Sequence, residues 1–320
     1  MRIILSRKGF DSAAGGCPNP ILPDGRLVPL PIPDSLSPIR YQDICHDEHN
    51  IGLLVNQLTK GKLTKSDGAH LDPDLVSTHY PRSHHWRPLL GQTGAAQGHL
   101  HKQGVSVGDI FLFFGVFQSI HRVFPNRRKH STGTEKPTKQ RQASGRKQWH
   151  FDTQQPKRHI IWGWMQVGQI LQIDELGESD LPWARYHPHF YRGKDPNNTL
   201  YLASNKLNIP GEFPNLPGSG TFQYASKERI LTAPDSLLTQ WQLPTWWYPD
   251  SGKSPLSYHH NPERWKLFKD RVLLKAAARG QEFVLDCDDY PEALPWLAKL
   301  VQTELATSNP ELSIKKALKE

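Results

Sequence analysis

The chain has 320 residues, of which 37% are hydrophobic and 27 are proline, so it could form one large domain or two ordinary ones with few long helices. Its formal net charge of +8 is compatible with a polyanionic partner but does not identify one. Three widely spaced cysteines argue against a disulfide framework and a cysteine zinc site. No apolar run approaches the roughly 20 residues that span a bilayer, so we expect a cytoplasmic protein without a membrane partner.

The chain opens on a short apolar strand followed by a polar, glycine-rich loop. Backbone N–H groups in such a turn bind anions, and two basic side chains add positive charge. The loop lacks both the Walker ending and the GxGxxG pattern. We therefore assign Arg7, Lys8 and Gly9 to nucleotide binding, and Asp11 and Ser12 to catalysis as a base and a hydroxyl. The alternative is that Asp11 and Ser12 close an ordinary turn.

A proline-punctuated arm follows, and three prolines between residues 29 and 33 exclude a helix or a central strand there. The apolar spacing over residues 51–58 predicts a helix, with Asp47 or Asn50 as its cap.

Acidic and histidine side chains alternate over residues 68–75. In an extended backbone His70, Asp72 and Asp74 would point the same way, as acid–base or metal-binding groups, although Pro73 interrupts the pattern. The alternative is that Asp72 caps a helix that begins at Pro73. We predict no metal site, because none of the histidine pairs has the spacing of a known zinc motif, but together the histidines leave a metal open. These pairs are His84 and His85, His99 and His101, His187 and His189, and His259 and His260.

Two long apolar runs, residues 104–117 and 159–173, predict adjacent strands of a curled sheet that resembles small PUA-like barrels. Between them, residues 122–158 are strongly basic and poor in apolar side chains, which predicts a mobile insertion. Its basic residues are expected to contact a nucleic-acid backbone, and the alternative is a solvated loop. The expected contacts are Arg127, Arg128, Lys129, Arg146 and Lys147.

Near the end of the chain, Trp265, Phe268, Val272 and Ala276 share the spacing of one helical face. Residues 283–285 then predict a short strand, and the apolar spacing from residue 291 predicts another helix. At the junction before the strand, we assign Gln281 to nucleotide binding and Glu282 to catalysis.

Several blocks of the chain, taken together, resemble the third class of nucleotide-modification-associated domains, a bacterial and phage family. The blocks are ILSRKGFDS (4–12), PILPDG (20–25), LPIPD (30–34), HLDPDL (70–75), GDIFLFFG (108–115) and GQEFVLD (280–286). The resemblance covers residues 1 to about 300 and implies a role linked to altered bases in DNA. It adds weight to the polar residues of these blocks as site candidates and names no cofactor.

These observations predict a single α+β domain over residues 1–300, with a curved mixed or antiparallel central sheet, flanking helices and long loops, then a helix end and charged tail over 301–320. The function expected is modification of a nucleotide or DNA base, with Trp or His side chains stacked on the ring. A non-catalytic PUA-like reader of modified nucleic acid and an enzyme acting on free nucleotides are the alternatives. The expected partner is a nucleic acid, DNA first, or a nucleotide.

Overall fold

A computed structural model of the protein describes residues 1–47, 49–124, 147–211, 215–250, 252–278, 280 and 282–308. The described strands, in chain order, are β1 (Arg2–Arg7), β2 (Asn19–Ile21), β3 (Ile32–Pro33), β4 (Cys45–His46), β5 (His49–Asn50), β6 (Ala69–His70), β7 (Leu89–Gln92), β8 (Ile110–Val123), β9 (Gln148–Phe151), β10 (Arg158–Gln172), β11 (Thr199–Ala203), β12 (Ser219–Thr221), β13 (Gln240–Leu243), β14 (Trp265–Leu267), β15 (Val272–Lys275) and β16 (Glu282–Asp286). The described α-helices are α1 (Ile51–Leu58), α2 (Gly94–Lys102) and α3 (Ala293–Ser308).

One large mixed sheet organises these elements in the order β16-β1-β8-β10-β11-β7, with β2 and β9 also paired to β8 and β12 paired to β10. Strand β1 runs parallel to β8 and antiparallel to β16. The α+β class and the mixed central sheet are therefore confirmed. The described strands form an open sheet and no closed barrel, so the resemblance to small barrels does not extend to closure.

The centre of the sheet consists of the two long apolar strands predicted from the sequence. Strands β8 and β10 pair antiparallel, and the register shifts between Ile161 and Gly163. Most residues of both strands are buried, because each face of the sheet packs against an apolar cluster. The β-branched and aromatic side chains of these runs suit such a strand, buried on both faces.

The predicted helices at residues 51–58 and after residue 291 are confirmed as α1 and α3. Asn50 caps α1, since its Oδ1 accepts a hydrogen bond from the Leu53 N–H at 3.2 Å. The short strand at residues 283–285 is also confirmed, within β16.

The helix expected over residues 265–276 is wrong. These residues form β14 and β15, which pair antiparallel around a turn in which the Phe268 N–H donates to the Arg271 carbonyl at 2.8 Å. Strand β13 pairs with the other edge of β15 and supplies backbone hydrogen bonds that a helix would have to replace. Phe268 is 41% exposed, so the helical spacing did not mark one buried face.

The two ends of the predicted basic insertion are strands, because β8 continues to Val123 and β9 pairs with it. Arg127, Arg128, Lys129 and Arg146 lie outside the described residues. Within the part of the chain that the structure describes, no helix combines the length and apolar character needed to cross a bilayer.

Candidate functional site

The loop after β1 is held in place by one buried asparagine. Asn19 Oδ1 accepts hydrogen bonds from the N–H groups of Phe10 and Leu30, and Asn19 Nδ2 donates to the carbonyls of Phe10 and Val116. Gly9 adopts φ +89°, and a Cβ there would lie 2.7 Å from Asn19 Oδ1. The loop is therefore fixed by Asn19 against β8 and the proline-rich arm.

A cavity of about 250 Å³ lies beside this loop and next to the end of β7. Half of the residues that line it are charged or histidine, namely Arg7, Lys8, Asp11, His70, Asp72, His189 and Arg192. Of the Trp and His side chains expected to stack on a base, the described residues that line it include His70 and His189 but no Trp.

At the wall of the cavity, a lysine lies between two buried carboxylates. Lys8 Nζ is 3.7 Å from Asp72 Oδ2 and 3.9 Å from Glu282 Oε1, and the exposed fractions of the three side chains are 11%, 3% and 1%. Burial raises the pKa of Glu282, although Lys8, Ser6 and Gln92 oppose the shift. Burial acts the same way on Asp72, but the charge of Lys8 and the neighbouring histidines outweigh it and hold its pKa well below the usual range.

Glu282 stands behind Lys8 and does not itself line the cavity. Its Oε1 accepts a hydrogen bond from Ser6 Oγ at 3.1 Å and another from Gln92 Nε2. Its Oε2 accepts no hydrogen bond from the described residues. Strand pairing places it there, because Ser6 and Glu282 are opposite each other in the β1–β16 register.

Histidines and a second aspartate surround Asp72. His70 Nδ1 is 2.7 Å from Asp34 Oδ2, and His70 Nε2 is 3.7 Å from Asp72 Oδ2. Burial opposes a charge on His70, but the two carboxylates outweigh burial and raise its pKa. The hydrogen bond with His70 lowers the pKa of Asp34 to about 2. His187 Nε2 approaches Asp72 Oδ1 at 3.3 Å, and burial lowers the pKa of His187.

His189 completes the group, and a glycine makes room for it. His189 Nδ1 is 2.6 Å from Asn198 Oδ1, and burial lowers the pKa of His189 to about 3. A Cβ on Gly91 would overlap the His189 ring, while the Gly91 N–H donates to Asp72 Oδ1 at 2.6 Å. His70, Asp72 and His189 each offer a ligand atom within 4.8 Å of the others, so they could hold a metal ion. His187 and His189 appeared in the sequence as a pair, but their spacing alone did not distinguish them from other histidine pairs.

Asp74 points away from this cavity. Its Oδ1 accepts from Arg82 at 2.6 Å, and its Oδ2 accepts from the Tyr186 hydroxyl at 2.6 Å. The Tyr186 oxygen in turn accepts from Trp86 Nε1 at 2.9 Å. Burial raises the pKa of Asp74 to about 6. The expected helix cap at Asp72 is wrong, because no helix begins at Pro73 and the Asp72 side chain takes part in the cavity instead.

The remaining sequence candidates have separate places. Arg7 lies on the rim and donates to the Ala278 carbonyl at 3.3 Å. Asp11 also lines the rim, but its Oδ1 accepts from the N–H groups of Ala13 and Ala14, which is the turn geometry of the alternative. Ser12 is exposed and does not line the cavity.

Lys147 is exposed, with its Nζ 4.8 Å from the Phe124 ring centre, and does not line the cavity either. Gln281 lies outside the described residues. The structure thus brings Lys8, His70, Asp72 and Glu282 together and separates Asp74, Ser12 and Lys147 from them.

Comparison with known proteins gives one match. The family model described as nucleotide modification associated domain 3 matches residues 2–286, a range that includes the loop after β1, the segment from His70 to Asp74 and Glu282. No curated protein and no solved structure matches the chain. The family name indicates a relation to nucleotide modification, which agrees with the expectation drawn from the sequence blocks. The chain therefore belongs to the nucleotide modification associated domain 3 family.

Proposed function

We propose that this protein is an enzyme that modifies a nucleotide or a nucleic-acid base in the cavity beside Lys8. One observation carries the proposal: the Lys8 ammonium group lies between two buried carboxylates at the wall of a cavity. Burying charges costs free energy, and groups of this kind are concentrated at catalytic sites.

Lys8 and Asp72 are the two groups of this set that line the cavity. Lys8 would stabilise negative charge that develops on the substrate, and Asp72, which the neighbouring cations keep ionised, would hold the ammonium group in position. Glu282 lies behind Lys8 and acts as a positioning residue, because it fixes the ammonium group from the side opposite the substrate.

Two arginines on the rim provide the attraction for phosphate. Arg7 and Arg192 line the cavity with exposed fractions of 24% and 33%. A guanidinium group binds phosphate with two parallel hydrogen bonds. At about 250 Å³ the cavity is smaller than the range of about 300–1,000 Å³ that holds drug-sized ligands, so it fits one base or sugar-phosphate unit. A nucleic-acid substrate would have to present a terminal or flipped nucleotide.

The two alternatives differ from this proposal in what they require. A reader of modified bases needs rings that stack on the base, and for this the described lining residues offer His70 and His189 but no Trp, Tyr or Phe. An enzyme that acts on free nucleotides needs no basic segment, so deletion of residues 125–146 would leave its activity unchanged. The same deletion would weaken the activity of an enzyme that acts on DNA.

Mass spectrometry of nucleosides tests the proposal directly. DNA and the free nucleotide pool are analysed from cells that lack the protein, contain it, or contain Lys8→Met, Lys8→Arg or Lys266→Met. Lys266 lies on β14 and is exposed, which makes it the matched control. We expect a nucleoside of altered mass with the wild type and the control, and a loss of at least about 100-fold with Lys8→Met.

Lys8→Arg keeps the positive charge and covers the case in which Lys8→Met fails to fold. It should retain the fold, as measured by circular dichroism, and lose most of the product because the longer, planar group displaces the charge. Identical nucleoside spectra from cells with and without the wild-type protein would overturn the proposal.

A further inference from the structure

Three side chains from two chain segments place nitrogen and oxygen donors at one wall of the cavity. His70 ends β6, Asp72 follows it, and His189 lies in the short 3₁₀ turn Pro188–Tyr191. One donor atom from each lies within 4.8 Å of the other two, and all three residues line the cavity. Two imidazoles and one carboxylate are a common donor set for a divalent transition metal.

Both histidines are oriented by an oxygen acceptor at Nδ1. Asp34 Oδ2 lies 2.7 Å from His70 Nδ1, and Asn198 Oδ1 lies 2.6 Å from His189 Nδ1. The Asn198 amide is itself fixed, because its Nδ2 donates to the His189 carbonyl at 2.9 Å. Each ring therefore donates through Nδ1–H and presents Nε2 as its free nitrogen. Metal-ligating histidines are held by partners of this kind.

The carboxylate is oriented as well, with one oxygen left for a ligand. Asp72 Oδ1 accepts from the Gly91 N–H at 2.6 Å and has His187 Nε2 at 3.3 Å. Asp72 Oδ2 accepts no hydrogen bond from the described residues, and His70 Nε2 and Lys8 Nζ each lie 3.7 Å from it. Donors at about 2.0–2.2 Å from one zinc ion lie about 3.0–3.5 Å apart, so small side-chain shifts would close the site.

Gly91 serves both parts of this arrangement. Its N–H orients Asp72, and its missing Cβ leaves the space that the His189 ring occupies. His187 is fully buried and does not line the cavity, so it orients Asp72 from behind and is not a ligand.

We propose that His70 Nε2, Asp72 Oδ2 and His189 Nε2 bind one divalent first-row transition metal of the Zn²⁺ type, with its remaining coordination positions open to the cavity. Nitrogen donors favour such a metal over Mg²⁺ or Ca²⁺, which prefer oxygen. The inference shares its cavity with the proposed function, but it rests on the donor geometry and not on the identity of the substrate.

Metal titration of the full chain tests the site. Protein dialysed against a chelator is titrated with Zn²⁺ by calorimetry and with Co²⁺ by visible absorption. We expect one tight equivalent and the absorption bands of a protein-bound Co²⁺. His189→Ala and Asp72→Asn should weaken binding by at least about 100-fold, and Asp34→Asn, which keeps all three ligands, by about 10–100-fold. Asp34→Asn carries the test if His189→Ala fails to fold.

Two controls separate this site from adventitious binding. His121 and His150 are opposite each other on β8 and β9, both are exposed, and His121→Ala should leave the affinity unchanged. Lys8→Met removes a positive charge 3.7 Å from Asp72 Oδ2, so it should bind Zn²⁺ as tightly as the wild type or more tightly.

Equal Zn²⁺ affinity in the wild type and His189→Ala, or loss of binding in His121→Ala alone, would overturn the inference. A wild-type protein that binds no metal but still alters nucleosides overturns the metal site and leaves the proposed function standing. A protein that binds one metal ion but alters no nucleoside would overturn the proposed function and leave the metal site standing.

Discussion

Asp72 and Asp74 are two residues apart and their side chains are only 3% and 0% exposed, yet they belong to different kinds of polar cluster. Asp72 shares a cavity wall with Lys8, and its Oδ2 accepts no hydrogen bond from the described residues. Both oxygens of Asp74 are bonded, to Arg82 and to Tyr186, and Asp74 does not line that cavity. An open cluster with spare bonding capacity is suited to binding a ligand, whereas a sealed cluster is suited to holding segments together.

The aromatic environment also differs between the two clusters. The Arg82 guanidinium lies 5.2, 5.1 and 4.8 Å from the ring centres of Tyr80, Trp86 and Tyr186. The faces of these rings attract the guanidinium group where it makes no hydrogen bond, and they shield it from water. The comparison teaches that burial and acidic chemistry alone do not identify a site residue. What separates the two aspartates is whether a bonding position remains free beside a cavity.

The largest effect on stability is expected from Asp74→Asn. The substitution leaves Arg82 buried without its counter-charge, and breaking a buried pair in this way costs about 3–5 kcal/mol. Urea denaturation measures the loss. Asp24→Asn is the control, because Asp24 pairs with Arg26 at a half-exposed site, where such pairs contribute at most about 1 kcal/mol. An equal loss in the free energy of unfolding in both variants would show that the buried Asp74–Arg82 pair contributes no more to stability than a half-exposed pair.

Asp72→Asn should lower activity more than stability, in contrast to Asp74→Asn. The amide keeps its oxygen for the Gly91 N–H and Lys8 keeps Glu282 as a counter-charge, so stability should fall less than in Asp74→Asn, while loss of the negative charge that positions Lys8 should lower the rate of modification by about 100-fold or more. Product formation per folded molecule, measured by nucleoside mass spectrometry, checks this. An active Asp72→Asn protein would show that the open cluster is not catalytic.

The comparison extends to a sealed histidine. His259 uses both ring nitrogens inside the protein, as Nδ1–H donates to the Ser257 carbonyl at 2.7 Å and Nε2 accepts from the Ala277 N–H at 2.9 Å. Burial lowers the pKa of His259 from 6.5 to about 4. Because the folded pKa is depressed, the unfolded chain takes up the proton first, and stability is lost as the pH falls from 6.5 towards 4.

At one pKa unit per about 1.4 kcal/mol, this histidine alone would account for up to about 3 kcal/mol of acid destabilisation. His259→Asn should reduce the stability difference between pH 7 and pH 4.5 by about 2 kcal/mol, as measured by urea denaturation at the two pH values. His121→Asn, at an exposed position, should leave the difference unchanged. An unchanged pH dependence in His259→Asn would mean that acid denaturation is governed by other groups.

A smaller effect on stability is expected from Gly91→Ala. The added methyl group overlaps the His189 ring, so the ring must move, at a cost of about 1–3 kcal/mol. Activity and Zn²⁺ affinity should fall together, because the displaced ring leaves the wall of the cavity. Gly98→Ala is the matched control: Gly98 lies in α2 with no atom within 4 Å of an added Cβ, so alanine should leave the protein equally stable or slightly more stable. A fully active Gly91→Ala protein would show that His189 is not part of the functional site.

The elements predicted best were those whose pattern and partners agree. The runs that became β8 and β10 are apolar without interruption, and α1 combines helical spacing with an Asn50 cap. The pattern at residues 265–276 was ambiguous, because spacing of three and four also fits a hairpin with a turn in its middle. Pairing of β13 with β15 decided the outcome, and that contact depends on distant residues.

For the site, the sequence identified residue types and could not identify directions. His70, Asp72 and Asp74 were expected to point the same way in an extended segment, but the alternation ends at Pro73, where Asp74 pairs with Leu89 through its backbone. Asp34 and His189 escaped selection, because one lies in a proline-rich arm and the other in a short 3₁₀ turn. The sequence pattern singles out neither position, because His189 shares its spacing with another histidine pair and both roles arise from contacts between segments that are far apart in the chain.

The pairing of β1 with β16 has a consequence for how the protein acquires its activity. Ser6 and Glu282 are separated by 276 residues and share a hydrogen bond within the same cluster as Lys8. Contacts of such long sequence separation have a high loop-closure cost and slow the folding of the topologies that depend on them. The cluster would be among the last parts of the molecule to assemble, so a refolding experiment should recover helical circular dichroism before it recovers nucleotide-modifying activity.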